Sequence, residues 1–398
     1  MKNISKLIAL ALCLILVMGF TATAMAESPE KTVTLAAQTA WTTINMFMSM
    51  DGNTNFIHGL IWEPLFLYNM NGDIVPMVAE SYEVNDDMTE YTIHIRQNAY
   101  FSDGEQLTAD DVMFTFQLNM DPTLATTRHS YLKSVVGTDD SSGEAVEGEE
   151  FGLQKLDDFT VRFTLKWATD AFTFLTNLRM FNILPEHVLK DIAPADLENY
   201  NFFENVPGSG QLIYKSQIPG ESMELVTNKN YDRGEIDFDK MVIKVIPTTN
   251  ILSAFIAGEA DVCFVGGAGA LPIVDYEMAK QQSGFSVVEI PNLSFSELAM
   301  NNQDQDLSDV RVRQAICYAI DRDAIVQNVF QGLGDPCYVP YAQSHPYFNA
   351  DYEFKSYDPE KASQLLNEYG WDSSRVLKFC VPSSDANRQK AAVIIQQF

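Results

Sequence analysis

The first 26 residues decide which part of this chain folds, and in which compartment. Lys2 and Lys6 form a short basic start, and an unbroken apolar run extends from Leu7 to Phe20. Thr21-Ala22-Thr23-Ala24-Met25-Ala26 closes it, with Ala24 and Ala26 in an Ala-x-Ala arrangement. Charge, apolar run and small-residue cut site in that order describe a secretory signal peptide. The run is short for a membrane span, and no second basic flank follows it, so a retained anchor is disfavoured. Cleavage after Ala26 leaves 372 of the 398 residues, starting at Glu27, to fold outside the cytosol. Lipid anchoring at Cys13 is also disfavoured, because the bulky Leu12 precedes it and the apolar run continues past it.

A mature chain of that length exceeds one ordinary domain. With 46% apolar residues it can build sizeable cores. The formal charge of −28 becomes −30 once Lys2 and Lys6 are removed. Such a surface repels phosphate backbones and anionic headgroups, so nucleic acid is not an expected partner. Cys263, Cys317, Cys337 and Cys380 remain, with no C-x-x-C. They make no disulfide framework and read mainly as small core residues.

Strands and helices alternate along the chain. Thr32 to Ala36 alternates polar and apolar, and Tyr91 to Arg96 does the same with Ile93 and Ile95 on one face. Phe159 to Leu165 places Phe159, Val161, Phe163 and Leu165 on one side of a strand. Thr108 followed by Asp110 and Asp111 predicts a capped helix through Val112, Phe114, Phe116 and Leu118. The spacing of those four also suits a strand, and the cap decides for helix. Ser308-Asp309 opens another helix through Ile320. Asp358, Pro359 and Gly370 bracket a third. A last helix is expected over Ala386 to Phe398. The acidic stretch GTDDSSGEAVEGEE at 137–150 lacks the ligand order of a calcium loop and reads as a solvated insertion.

No catalytic order emerges. Gly208-Ser209-Gly210 is not G-x-S-x-G, and Gly266-Gly267-Ala268-Gly269 lacks the full dinucleotide or P-loop pattern. His58, His94, His129, His187 and His345 are scattered, without H-E-x-x-H, and structural roles are expected for them. Asp86-Asp87 suits a turn and Asp110-Asp111 a helix start. No catalytic residue, metal ligand or cofactor is assigned.

Three ordered blocks carry a resemblance. The first runs from Val75-Pro76-Met77-Val78-Ala79-Glu80-Ser81-Tyr82 through Tyr91-Thr92-Ile93-His94-Ile95-Arg96 to Phe101-Ser102-Asp103-Gly104 and Thr108-Ala109-Asp110-Asp111-Val112. The second is Asp309-Val310-Arg311-Val312-Arg313-Gln314-Ala315-Ile316 with Tyr318-Ala319-Ile320-Asp321-Arg322, and the third is Tyr357-Asp358-Pro359-Glu360-Lys361-Ala362. Together they resemble the family 5 solute-binding proteins of ABC transporters, the oligopeptide, dipeptide and nickel receptors. Two departures stand out. Val206-Pro207-Gly208-Ser209-Gly210 continues as Gln211-Leu212-Ile213-Tyr214, without the family's following Pro. Family chains also run about a hundred residues beyond Phe398, so a truncated chain is expected, with the peptide-amine-binding acidic segment missing and poor solubility as a consequence.

The resemblance implies an α/β, periplasmic-binding-protein-like (type II) fold of three lobes with the ligand in the cleft. Lobe I would take 27–68 and 207–300, lobe II 69–206, and an incomplete lobe III 301–398. It implies a monomeric receptor outside the cytoplasmic membrane that passes peptides to an ABC permease. The ligand would contact Met48, Ser49, Asp51 and Gly52 in the loop after the first strand. It would also meet His129 and Tyr131 of a lobe II segment, Gly266 and Gly267 after a strand, and Asn301 and Asn302 at the crossing into lobe III. Each could equally serve structure. Tyr131 is singled out for its flat face and hydroxyl. A nickel chelate, an oligosaccharide, an opine-like compound or haem remains open as the solute. A secreted hydrolase using Ser209 is the alternative of a different class. Mass spectrometry of secreted protein should give a chain beginning at Glu27. A retained residue 1 would overturn the signal-peptide reading.

Overall fold

The computed structural model describes residues 30–41, 43, 45–48, 52–69, 71–263, 271–290, 294–343, 345–352, 356–382 and 385–397. The expected signal segment, Ser49, Asp51, Gly266, Gly267 and Phe398 lie outside these. The described strands are β1 (Thr32–Ala37), β2 (Phe66–Tyr68), β3 (Ile74–Pro76), β4 (Ala79–Val84), β5 (Glu90–Ile95), β6 (Leu153–Asp157), β7 (Thr160–Thr164), β8 (Leu212–Ile218), β9 (Ser222–Thr227), β10 (Lys240–Val245) and β11 (Val262–Cys263). The longer helices are α1 (Gly52–Ile61), α2 (Ala109–Met120), α3 (Ala171–Leu178), α4 (Val310–Ala319), α5 (Arg322–Phe330), α6 (Pro359–Tyr369) and α7 (Ala386–Ile395).

Two sheets organise the first three quarters of the chain. One is mixed, in the order β11-β1-β10-β9-β8. There β1 runs parallel to both neighbours, with Leu35 opposite Ile243 and Val262. Asp261 fixes this edge, accepting from the Thr34 amide at 2.7 Å while its own amide donates to the Thr34 carbonyl at 2.8 Å. The other sheet is antiparallel, in the order β4-β5-β7-β6. Its alternation is the one read from the sequence. Tyr91, Ile93 and Ile95 of β5 and Val161 and Phe163 of β7 are buried, and the residues between them face outward or sit half-buried. Phe163 also meets Phe116 of α2 edge-on at 5.0 Å, a geometry worth about 0.5–1.5 kcal/mol beyond burial.

Helix α2 closes as the sequence predicts. Thr108 is the N-cap, its hydroxyl accepts from the Asp110 amide, and the Asp111 carboxylate accepts from the Thr108 amide at 2.8 Å. The strand-like spacing of its apolar residues has a structural cause. Val112 and Phe116 enter the core of the four-stranded sheet, while Leu118, with Phe114 beside it, packs in the core that contains Leu35 and Ile243. The helix lies between two cores and needs apolar residues on two faces. Leu184, Leu189, Leu197, Phe202 and Phe203 join that second core.

The C-terminal helices also follow their caps. Asp309 caps α4 through the Arg311 amide, within the Ser308-Asp309 start expected from the sequence. Asp358 caps α6, Pro359 takes its first turn, and Gly370 ends it at φ +85°. Ala362 and Leu365 of α6 pack on Ala315 of α4. Helix α7 ends at Ile395, short of the expected Phe398. The acidic stretch from 139 to 150 is mainly exposed, with Asp139 accepting from the Ser141 and Ser142 amides. Cys263 is half-buried against Ala36 and Ile251, as are Cys317 and Cys337 elsewhere, whereas Cys380 is exposed. These cysteines lie closer to the surface than core residues would.

One polar cluster joins the two sheets. Glu63, 1% exposed, follows α1. Its carboxylate meets Arg96 at 3.2 Å and Arg233 at 3.5 Å, and accepts from the Tyr231 hydroxyl at 3.0 Å. Arg96 stands at the end of β5 and pairs with Asp232 as well. Its Nε donates to the Met77 carbonyl at 2.6 Å. The backbone of Glu63 is equally engaged: its amide donates to Ser209 Oγ at 3.1 Å, and its carbonyl accepts from Ile183 at 2.9 Å. Burial pushes the Glu63 carboxyl up, and Arg233, the Tyr231 hydroxyl and Arg96 pull it back. Beside it, the Gly210 amide donates to the Ile61 carbonyl at 2.7 Å. A Cβ on Gly208 or Gly210 would stand 2.2 or 2.4 Å from a carbonyl of α1, so the chain there must be glycine. Replacing Glu63 by Gln leaves two arginines facing a neutral amide. The loss of one partner from a buried ion cluster costs about 3–5 kcal/mol. Urea unfolding should show that loss, and a wild-type midpoint would contradict the assigned role.

Candidate functional site

The described part of the loop after β1 and the turn after α2 are tied together by the bonds of one side chain, Arg128. Asn45 holds the loop, its Nδ2 donating to the Leu197 carbonyl at 2.5 Å and the Glu198 carbonyl at 2.8 Å. Its Oδ1 accepts from the Phe47 amide at 2.9 Å. Met46 and Phe47 are thereby buried, and Met48 is turned outward at 46% exposure. Gly52 begins α1 at the surface, and the next residue, Asn53, donates to the Thr39 carbonyl at 2.7 Å. The start of α1 is thus tied to the end of β1.

Arg128 connects this loop to the turn at Arg128–Leu132. It is 4% exposed. Its Nε donates to the Met46 carbonyl at 3.1 Å and its Nη2 to Asn55 Oδ1 of α1 at 2.8 Å. Its Nη1 donates to the Met180 carbonyl, just beyond α3. Burial pulls the guanidinium down to about 10. A planar fork of donors suits this task, because one side chain reaches three segments at once. His129 and Tyr131 follow on the same turn. His129 lies 3.7 Å from Glu144 of the acidic stretch. Tyr131 is half-buried, with its ring against the core of the four-stranded sheet.

The remaining candidates stand apart. Asn301 and Asn302 are exposed, and Asn301 shapes a local turn by accepting from the Gln303 amide at 3.0 Å. Among the described residues, no hydrogen bond ties them to the loop or to the Arg128 turn. Ser49, Asp51, Gly266 and Gly267 are outside the described residues. The histidines are dispersed: His58 is buried beside the Trp62 and Phe203 rings, His187 bonds Asp103 at 2.9 Å, and His345 lies among aromatic rings. Ser209 is 6% exposed and holds the Glu63 amide. Among the described residues, no group of three metal-ligating side chains is found. Two hollows, at Pro359–Glu368 and at Lys244–Glu259, are lined by none of the candidate residues.

Sequence reading passed over Arg128 itself. No acid stands within four residues of it, and its three acceptors come from segments 52 to 82 positions away. Its one sequence signal is a cation amid otherwise neutral residues directly after an amphipathic helix.

The profile of bacterial extracellular solute-binding proteins, family 5 Middle, matches residues 73–398. Heme-binding protein A of Haemophilus influenzae is 30% identical over 342 residues, covering 81% of this chain and 59% of its own. Oligopeptide-binding protein AppA of Bacillus subtilis is 28% identical over 371 residues, covering 89% of this chain and 64% of its own. The chain therefore spans about three fifths of the length of these curated relatives. The structure of AppA with a nonapeptide superposes with a TM-score of 0.66 at 25% identity, covering 93% of this chain and 73% of that one. NikZ of Campylobacter jejuni with Ni(L-His) superposes at 0.70 and 22% identity, covering 93% and 71%.

Replacing Arg128 by Met strands the Met46 and Met180 carbonyls and Asn55. A charged hydrogen bond contributes about 1.5–3 kcal/mol, so a loss of about 2 kcal/mol is expected in denaturant unfolding. Faster amide exchange at 45–48 should accompany it. Unchanged exchange in that loop would contradict the linkage.

Proposed function

The chain belongs to the bacterial extracellular solute-binding proteins of family 5, and from that premise we propose that it is the receptor of an ABC importer. It captures short peptides outside the cytoplasmic membrane and hands them to a membrane permease, acting as a monomer. The observation that carries this reading is the family match over residues 73–398. The type II fold shared with peptide-bound and nickel-bound relatives agrees with it. Peptide is favoured as the solute by the oligopeptide-binding relative, which aligns over 89% of this chain.

On this reading Met48, Gly52, His129 and Tyr131 line one wall, and Ser49, Asp51, Gly266, Gly267, Asn301 and Asn302 are further solute contacts. The geometry around Arg128 supports the first group, because a shared anchor lets loop and turn present a common surface. A wall of this kind binds without reacting: Met48 and Tyr131 offer apolar and aromatic contact, with one hydroxyl for orientation. Lobe boundaries near 69, 207 and 301 fit the same reading. Among the described residues, no helix is long and apolar enough to cross a membrane.

Isothermal titration with the tetrapeptide Ser-Thr-Ser-Ala and with a mixed nonapeptide pool tests the proposal. Saturable binding of peptide at one site is expected. Replacing Tyr131 by Ala should weaken it about tenfold at most, the worth of one aromatic contact. Saturation by haemin or by nickel–histidine with no peptide response would move the solute class. No response to any of them would overturn the receptor reading.

A further inference from the structure

Among the described residues, one strap (341–343 and 345–347) carries hydrogen bonds and ring contacts from the region after residue 301 to the four-stranded-sheet region. The Tyr347 hydroxyl donates to Asp170 Oδ1 and lies 2.8 Å from Thr173 Oγ1. The Phe172 ring meets His345 at 5.5 Å and Tyr347 at 5.7 Å, both edge-on. Tyr341 closes the other side, 4.9 Å from His345 and 6.0 Å from Tyr347. Pro346 lies against Gly72, where an added Cβ would come within 2.9 Å of the proline ring.

Asp170 has two tasks in this contact. It is the N-cap of α3, its Oδ1 accepting from the Thr173 amide at 3.1 Å. The same oxygen receives the Tyr347 phenol. If the strap lifts, the carboxylate passes to water and the cap on Thr173 survives, so α3 needs no refolding. The rings are only partly covered, with Tyr341 38% and Tyr347 42% exposed. Lifting them uncovers little apolar surface. A contact with these properties opens locally, well below the cost of unfolding either side.

We propose that this strap, through Tyr341, His345, Pro346 and Tyr347, is a clasp. It holds the region of α4 to α7 against the N-terminus of α3, and its release lets that region swing outward. This rests on the receptor reading for its purpose, which is to set how far the cleft stands open at rest. The clasp itself is testable with no solute present, so its failure and the failure of that reading are separate results.

Amide exchange followed by mass spectrometry on the secreted chain is the test, with small-angle scattering beside it. Replacing Tyr347 by Phe removes one charge-assisted hydrogen bond, which corresponds to about a tenfold to hundredfold shift in an opening equilibrium. Exchange at 338–348 should rise by at least about tenfold on that basis. The radius of gyration should increase, and exchange in β5 and β7 should stay as in wild type. Asp170→Ser keeps a capping side chain, lacks the carboxylate, and should reproduce the effect at the strap. Tyr369→Phe is the control, since it deletes a like bond to Asp306, 2.9 Å long, inside the helical region. It should leave the strap unchanged. Wild-type exchange at the strap in Tyr347→Phe, a rise spread evenly through β5 and β7, or an equal effect of Tyr369→Phe would each overturn the clasp.

Discussion

A carboxylate with almost no access to water, Glu63, is where the architecture is decided. Two arginines and a tyrosine surround it, drawn from the end of β5 and from the loop after β9. A buried charge is tolerated only when its partners are all in place. The cluster therefore forms only when the mixed sheet and the four-stranded sheet stand in one relative position. The neighbouring contacts impose the same condition. Trp62 Nε1 donates to the Pro207 carbonyl at 3.0 Å, Asn182 Nδ2 to the Trp62 carbonyl at 2.5 Å, and Gly210 to the Ile61 carbonyl. Apolar packing alone would allow sliding between the two cores. Directional bonds at the joint do not.

That frame carries the candidate wall. The loop at 45–48 springs from β1 in one sheet, and the turn at 128–132 follows the helix wedged between both cores. Arg128 ties them across the same divide that Glu63 ties farther along α1. Two buried polar anchors at one joint convert two cores into one support. In a binding protein that support has a use: a rigid wall does not spend ordering entropy when a solute arrives.

The sequence disclosed the local rules and concealed the long-range ones. Period-two burial in β5 and β7, the Thr108 and Asp358 caps and the Gly370 stop could all be read, because each is a contest among residues a few positions apart. Helix α2 shows where such reading strains. Its Val112, Phe114, Phe116 and Leu118 alternate like a strand because the helix serves two cores, and only the cap separated the two readings. The cysteines sit shallower than a core reading of the sequence implies, since a small apolar side chain is as comfortable half-covered as buried. The Glu63 cluster and the Arg128 anchor were invisible: their partners lie 33 to 170 positions apart, and nothing in local spacing marks an arginine as buried. Of the candidate wall, the loop and the turn were found through family resemblance rather than through periodicity. The side chain that joins them was not found.

The proposed solute wall is formed jointly by the loop after β1 and the turn after α2, held by buried polar anchors. A crystal structure of natively purified, never-denatured protein with its co-purified solute tests this most directly. The account predicts solute density against Met48 and Tyr131, with Arg128 still bonded to the Met46 carbonyl beneath. Density seated on another face, with the loop and the turn untouched, would contradict it.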